Sequence, residues 1–497
     1  MEQGKLVSTE WAYHSAKQLL QEMKDGKLTS RQLLDYYIKR IERLNPQLNA
    51  VVATDYSAAR ARADAADKAR SEGENWGPLH GLPMTVKDTY EVVGMPCVAG
   101  APSLKDHLPK KDAVTIENLK QAGAIIFGKT NVPLFASDLQ SYNKVYGTSH
   151  NPWNTQYTPG GSSGGAAAAL AAGFTPVELG SDIGGSIRTP AHFCGVFGHK
   201  TTHGVISLRG HIPGPPGVLS ETDLAVSGPM ARTADDLQLI LDVVSGPSPL
   251  MQPGWQLKLP AVKQRKLQDF KVLLWMDDPL CPIASEMKSM FDDLKQSLEQ
   301  QGVSVTVGAP MDMALKTFYP LYLRLLGGVL GSSHKKIERT AMGLAAPLLQ
   351  KFGDRFQLPK LFENYLEGAS QSHVDWLRDN ERRYRLREKF LQTFEKYDVI
   401  LCPINMTTSF RHNQEQDIFM RKLSVDGKMR NYTDMFMWIA PATVLGLPAT
   451  SAPIGVTKDG LPVNVQIMGG AYQDKTTIRF ARFMEKAGFT FQPPAGY

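Results

Sequence analysis

The chain has 497 residues, 42% hydrophobic and 21% charged, the balance of a globular protein with room for one large domain or two ordinary ones. Its net charge of +6 is mild for this length, and without a dense Lys/Arg block it does not favour a nucleic-acid-binding protein. The four cysteines, Cys97, Cys194, Cys281 and Cys402, contain no C-x-x-C pair, which excludes the usual zinc and thioredoxin-like spacings and fits a reducing compartment such as the cytoplasm.

The opening MEQGKLVSTEW lacks the apolar core of a secretory signal, and no apolar run reaches the roughly 18 residues of a membrane span. Thr9 is placed to cap a first helix running through Met23, with Ala12, Ala16, Leu19, Leu20 and Met23 on one face. Thr29 or Ser30 caps a second, with Leu33, Leu34, Tyr37, Ile38, Ile41 and Leu44 apolar. Asn45-Pro46 is expected to stop it. Residues 55–71 read as a third helix, rich in alanine and charge. Residues 1–75 thus predict a helical layer over a sheet.

Residues 84–86 look like a short buried strand ending at Lys87. Residues 113–121 read as a helix and 124–127 as a second buried strand. This rhythm opens a core spanning 76–247. Further on come a strand at 271–275, a helix at 284–301 and a strand at 303–307. In residues 310–395 Leu, Met, Tyr and Phe recur among charges, with Gly327, Gly328 and Gly331 as breakers. That predicts a mainly helical insertion, its apolar stripe either plain core or a wall over a substrate pocket. Residues 396–497 return to the sheet at 399–402, 449–452 and 463–467 and close with a helix at 474–486. The expected fold is a single α/β domain: a mixed, mostly parallel sheet covered by helices on both faces.

Three motifs attract attention for chemistry they do not support. Gly123 to Thr130 matches the phosphate-loop pattern GxxxxGKT, but its four middle residues are apolar strand and Asn131-Val132-Pro133 follows instead of a helix. Gly160-x-Ser162-x-Gly164 and Gly161-x-Ser163-x-Gly165 match the nucleophile-elbow pattern, but polar residues and Pro159 precede them where a hydrophobic strand is needed. Ser141-x-x-Lys144 lacks a strand-borne Lys-Thr-Gly partner and is expected at the surface. His192, His199 and His203 follow the second serine cluster and could each serve a Ser–His–Asp triad; the plainer reading is three hydrogen-bonded structural histidines.

The densest stretch is Gly160–Lys200. Gly160-Gly161-Ser162-Ser163-Gly164-Gly165 leads into the small-residue helix 166–172, and Gly184-Gly185-Ser186 follows Ser181-Asp182. Glycine-rich turns expose backbone N–H groups, and a serine nucleophile needs a base and such donors for its developing oxyanion. On its own, Lys87 reads as a salt-bridged lysine at a strand end.

This stretch resembles the amidase signature family. GGSSGG, the alanine run, GSDIGGSIR, Pro190-Ala191 and 195–200 carry the match, with GLPMTVKD at 81–88, GKTNVP at 128–133, GTSHNPW at 147–153, GPMAR at 228–232 and GLPVNVQ at 460–466 in support. Thr201 departs from the proline that family members usually have after the lysine. The resemblance implies a Ser–cis-Ser–Lys triad of Ser186 as nucleophile, Ser162 as the bridge and Lys87 as base. It implies an oxyanion hole from the N–H groups of Ile183, Gly184, Gly185 and Ser186. It implies no metal and no organic cofactor.

A lysine is a base only when neutral, so burial must bring Lys87 well below the ordinary value of about 10.4. Met84 and Val86 could supply the apolar surroundings, while Asp88 and Asp182 are expected to point away, towards Arg188. The resemblance implies hydrolysis of a small-molecule amide through an acyl-enzyme, with carbamates or esters as side substrates. Ala136, after the GKTNVP motif, is small enough to leave room, which favours a bulky or apolar amide. Two alternatives stand beside this: a glutamine-cleaving subunit of an amidotransferase complex, from which the 210–217 loop differs, and a catalytically silent binding protein. A homodimer is compatible with either.

Overall fold

The computed structural model describes residues 11–352 and 358–497. Thr9, expected to cap the first helix, lies outside them. Helix α1 (Ala16–Lys24) is capped instead by Ser15, in a reciprocal capping box with Gln18. Helix α2 (Ser30–Leu48) has Thr29 as its N-cap with Gln32 closing the box. It does not stop at Asn45-Pro46. Pro46 sits in its last turn, and the Asn45 side chain accepts from the N–H groups of Ala50 and Val51, ending the helix just afterwards.

Strand β1 (Val51–Thr54), helix α3 (Tyr56–Ser71), strand β2 (Pro83–Lys87), helix α4 (Val114–Gln121) and strand β3 (Ile125–Thr130) follow. They build a three-stranded sheet in the order β1-β3-β2, with β2 parallel to β3 and β1 antiparallel to it. The N-terminal layer covers this sheet: Tyr37 of α2 stacks on Phe127 of β3 with centroids 6.4 Å apart. A two-residue hairpin, β4 (Tyr142–Asn143) and β5 (Gly147–Thr148), precedes α5 (Gly164–Ala171).

The second sheet is larger. In chain order it takes β6 (Val177–Asp182), β7 (Phe197–Lys200), β8 (Val226–Ala231), β9 (Lys271–Leu274), β10 (Ser304–Val307), β11 (Val399–Cys402), β14 (Ala449–Val456) and β15 (Pro462–Met468), where β12 (Lys422–Val425) and β13 (Lys428–Asn431) form a separate hairpin. Its order is β10-β9-β11-β15-β14-β7-β8-β6. Helices α6 (Arg188–Cys194), α7 (Ala234–Val244) and α8 (Ser285–Gln300) lie between its strands in sequence, and α14 (Ala440–Val444) and α15 (Asp474–Lys486) surround the last two. The sheet has helices on both faces, as expected. On one face Asn464 of β15 donates to the carbonyls of Ala191 and Val196 at α6. On the other, His199 of β7 meets Asp474 of α15 at 3.1 Å.

The mixed α/β character holds, but the sheet is not mostly parallel. The β10–β9 and β9–β11 pairs run parallel, and every other neighbouring pair in it runs antiparallel. Two features cause this. Strand β8 inserts between β6 and β7, the strands that α6 connects, and runs against both. Strands β14 and β15 are joined by a tight turn at Asp459-Gly460, with Gly460 at φ +77°.

The insertion is helical, as predicted: α9 (Leu315–Gly331), α10 (Lys336–Phe352), α11 (Phe362–Ser370), α12 (His373–Leu391) and α13 (Thr393–Lys396). Phe318, Tyr319, Leu321, Tyr322 and Leu325 of α9 are buried. Residues 353–357 of this insertion lie outside the described range.

Candidate active site

Lys87 ends β2, where all five residues are buried. Its Nζ lies 2.7 Å from Ser162 Oγ and 3.0 Å from Ser181 Oγ, and donates to the Ser181 carbonyl at 3.4 Å. Burial dominates its titration and brings it down to about 7; the Asp182 and Glu178 carboxylates push the other way and do not win. Neither acid pairs with it. Glu178 accepts from the Thr85 hydroxyl, and burial raises its own carboxyl to about 8. Asp88 turns to Lys129, 3.2 Å away, and not to Arg188.

Ser162 follows a cis peptide bond from Gly161 and precedes α5. The turn is held from below by Ser141, whose hydroxyl donates to the Ser162 carbonyl and accepts from Gly164 N–H at 3.0 Å. The expectation that the Ser141-x-x-Lys144 pair lies at the surface therefore holds for Lys144 and fails for Ser141, which is buried. Glycine is needed at 165 because a Cβ there would stand 2.3 Å from the Asn131 nitrogen; the helix start is pressed against the end of β3.

The second cluster is folded around Asp182. Its carboxylate accepts from the N–H groups of Gly185 and Ile187 and forms a fully buried two-point pair with the Arg188 side chain at 3.0 and 2.8 Å. Burial alone would raise that carboxyl, but the guanidinium overrides it and holds it at about 2. Arg188 also donates to Ile439 O, Gln466 and Thr443. One expectation changes here. Gly185, at φ +89°, gives its N–H to Asp182 Oδ1 at 3.0 Å, so it is not free to meet an oxyanion. The N–H groups of Ile183, Gly184 and Ser186 have no hydrogen-bond acceptor among the described residues.

Ser186 is buried, and its carbonyl accepts from Ser163 N–H at 3.1 Å, tying the two clusters together. Among the described residues the Ser162 and Ser186 hydroxyls are not hydrogen-bonded to each other. The insertion reaches the second cluster through Tyr322, which donates to the Ile183 carbonyl at 3.3 Å; from outside the insertion, the Phe436 ring would stand 3.0 Å from a Cβ at Gly184. Ala136 sits half-exposed in the turn Leu134–Ala136 and makes no hydrogen bond to the three site residues. Its segment does pass close by, since the Asp138 carbonyl would lie 2.6 Å from a Cβ at Gly161.

The other motifs resolve as structure. Residues 125–130 are strand β3, and Lys129 is buried with its Nζ donating to the Tyr90 carbonyl at 2.7 Å. His192 accepts from Asn464 N–H at 2.8 Å and its other nitrogen meets the Thr407 carbonyl; His199 is held between Thr450 and Asp474. His203 sits after β7, its N–H donating to the Gly446 carbonyl. Thr201, the departure from the family pattern, donates to the Ser227 carbonyl at 2.8 Å. Among the described residues no three His, Cys, Asp or Glu side chains gather as metal ligands, and no helix is long and apolar enough to cross a membrane. Sequence reasoning missed Ser181 and Ser141 as neighbours of the lysine–serine pair. For Ser181, its place beside Asp182 in the conspicuous GSDIGGS run was the available signal.

Against known proteins, the family model described as Amidase matches residues 32–478. A glutamyl-tRNA(Gln) amidotransferase subunit from Synechococcus sp. (strain CC9605) is 32% identical over 485 residues, covering 95% of this chain and 96% of that protein. The crystal structure of an amidase superposes with a TM-score of 0.75 at 26% identity, over 95% of this chain and 99% of the other. A bacterial aryl acylamidase of the amidase signature enzymes shares the fold with a TM-score of 0.78 at 23% identity, over 98% and 99% of the two chains.

Proposed function

Because the chain belongs to the amidase family, we propose that it hydrolyses a small-molecule amide through an acyl-enzyme on Ser186, with Ser162 as relay and Lys87 as base. Cleavage of carbon–nitrogen bonds is the chemistry of the family; the triad and the substrate are the proposal. The observation that carries it is the 2.7 Å approach of Lys87 Nζ to Ser162 Oγ inside a fully buried site.

Neutral Lys87 keeps N–H bonds for Ser181 and turns its lone pair to the Ser162 hydroxyl. As Lys87 takes that proton, Ser162 takes one from Ser186, and Ser186 Oγ attacks the amide carbon. The N–H groups of Ile183, Gly184 and Ser186 receive the oxyanion, each worth about 3–4 kcal/mol in such roles. Ser162 then protonates the leaving nitrogen as the C–N bond breaks, and the lysine restores the Ser162 proton. Water adds to the acyl ester, its proton passes back along the relay, and the acid leaves. The Phe436 ring beside Gly184 and Ile439 beside Gly185 offer an apolar wall, which suits a bulky amide.

Fluorophosphonate labelling of Ser186, with turnover of amides of graded acyl and amine size, tests this reading. Absence of both would leave a silent binding protein. The 32% identity to an amidotransferase subunit favours a second reading, a glutamine-cleaving subunit of a complex. It predicts that glutamine amide outcompetes every bulky amide in the same screen.

A further inference from the structure

We infer that Thr89 and His211 form a hydrogen-bonding subsite for a polar group carried by the substrate, beside the Lys87–Ser162 pair. The inference rests on the amide-hydrolase reading and narrows its substrate class to amides bearing a second hydrogen-bonding group, such as a hydroxyl, carbonyl or carboxamide.

Thr89 is wholly buried and His211 is 8% exposed, yet among the described residues Thr89 Oγ1 and His211 Nε2 have no hydrogen-bond partner. Buried polar atoms are nearly always satisfied, so two orphans on contacting segments call for an explanation. Loose packing is not one. The Ile212 N–H donates to the Thr89 carbonyl at 2.7 Å, and Glu91 N–H donates to the Gly210 carbonyl at 3.0 Å. Gly217 N–H closes the loop onto the Glu91 carboxylate. The His211 ring stands edge-on to Tyr90 with centroids 4.8 Å apart, and Tyr90 is fixed through its hydroxyl to the Gly180 carbonyl at 2.6 Å.

Simple packing would be served better by valine at 89 and phenylalanine at 211, which fill similar space and strand no polar atom. The two side chains are tied to the reaction through the chain and through Tyr90, which follows Thr89, packs on His211 and binds the Gly180 carbonyl. Thr89 is two residues from Lys87, and Gly180 is next to Ser181, which holds Lys87. Burial, and then the neighbouring Lys87 and Lys129 charges, push His211 down to about 3, so its imidazole is neutral at working pH and offers Nε2 as donor or acceptor according to tautomer.

The test compares two series of p-nitroanilides of equal chain length, one with plain alkyl acyl chains and one with a terminal hydroxyl or carboxamide. The unaltered enzyme is expected to prefer the polar series. The polar-over-alkyl ratio of kcat/KM should fall about tenfold in Thr89→Val and in His211→Phe, the scale of one neutral hydrogen bond, and mainly through KM. Thr89→Val is close to isosteric and carries the test if His211→Phe does not fold. An unaltered enzyme indifferent to the polar group, or a ratio unchanged in both variants, would overturn the inference and leave the two orphans to internal water. If Ser186 takes no fluorophosphonate and no anilide is cleaved, the amide-hydrolase reading itself fails and the subsite falls with it.

Discussion

Lys87 Nζ lies 2.7 Å from Ser162 Oγ at a position where both side chains are closed off from solvent. Burial leaves this amine at about 7 against an ordinary 10.5, so it is half neutral near pH 7. On an amide substrate kcat/KM should therefore rise with pH along a limb centred near 7, falling about tenfold per unit below it. The same shift makes a stability statement. Between about 7 and 10.5 the unfolded chain holds a proton that the folded one has lost, so this group's contribution to stability rises with pH across that window. Lys87→Met should flatten that part of the stability profile and abolish amide turnover. A limb unmoved in a partly active Lys87 variant would remove Lys87 from the mechanism.

The Asp182–Arg188 pair is buried completely, and the Asp182 carboxylate also organises the N–H groups of Gly185 and Ile187. Arg188→Met leaves that carboxylate without its partner and should cost about 3–5 kcal/mol in denaturant unfolding. Asp182→Asn combined with Arg188→Met should cost less than the two single changes added. The Asp182 carboxyl is held at about 2, below its ordinary 3.8, so its stabilisation is complete above the ordinary value and disappears as pH falls through about 2. Measurements at neutral pH see all of it.

Strands β2, β3, β9, β11, β14 and β15 were legible because each is a run of apolar, often β-branched residues. β6, β7 and β8 were not, because Gly180, Gly198 and Gly228 make them read as loop. Those glycines answer to neighbours far away in sequence: a Cβ at Gly228 would stand 1.9 Å from the His199 carbonyl oxygen on the adjacent strand. Strand direction was misjudged for the same reason, since nothing local announces that β8 inserts between β6 and β7. At the candidate site the glycine-rich turns drew attention to the two serine clusters, but the roles proposed for Lys87, Ser162 and Ser186 rest on the motif resemblance. The roles of Ser141 and Tyr322 come from contacts across 21 and 139 residues of chain, which no local pattern carries.

Tyr322 brings the helical insertion onto the second glycine cluster, its hydroxyl donating to the Ile183 carbonyl and lying beside Gly184. Tyr322→Ala should enlarge this wall and shift the kcat/KM ratio of large to small amides by about tenfold or more, the scale of pocket discrimination by a few carbons. Tyr322→Phe removes the hydroxyl alone and should cost about 1 kcal/mol of stability with little change in that ratio. Equal ratios in all three enzymes would exclude α9 from substrate selection.

Lys129 is the lysine of a sequence that copies a phosphate loop, but it is a buried strand residue paired with Asp88 at 3.2 Å. Calorimetric titration with ATP should show no binding. Lys129→Ala should act on stability, by about 3–5 kcal/mol, because it strands the Asp88 carboxylate. Nucleotide binding that vanished in this variant would contradict the strand assignment.

The order of damage among the three site residues separates the proposed mechanism from its histidine rival. Ser186→Ala should abolish acyl-enzyme formation. Lys87→Ala should be nearly as severe, since Ser162 then has no base behind it. Ser162→Ala should retain somewhat more, because water can bridge the gap it leaves. Residues that act as a unit are strongly non-additive, so Lys87→Ala/Ser186→Ala should be little worse than Ser186→Ala. Lys87→Ala should also harm amides more than activated esters, since an amine leaves poorly without a proton and an activated phenolate needs little help. His192 and His199 are committed to Asn464, Thr407, Thr450 and Asp474, so their alanine variants should lose stability before they lose the amide-to-ester ratio. Rates for each variant on one matched amide and ester decide the matter, and a Lys87→Ala enzyme that kept most of its amidase activity would end the lysine mechanism.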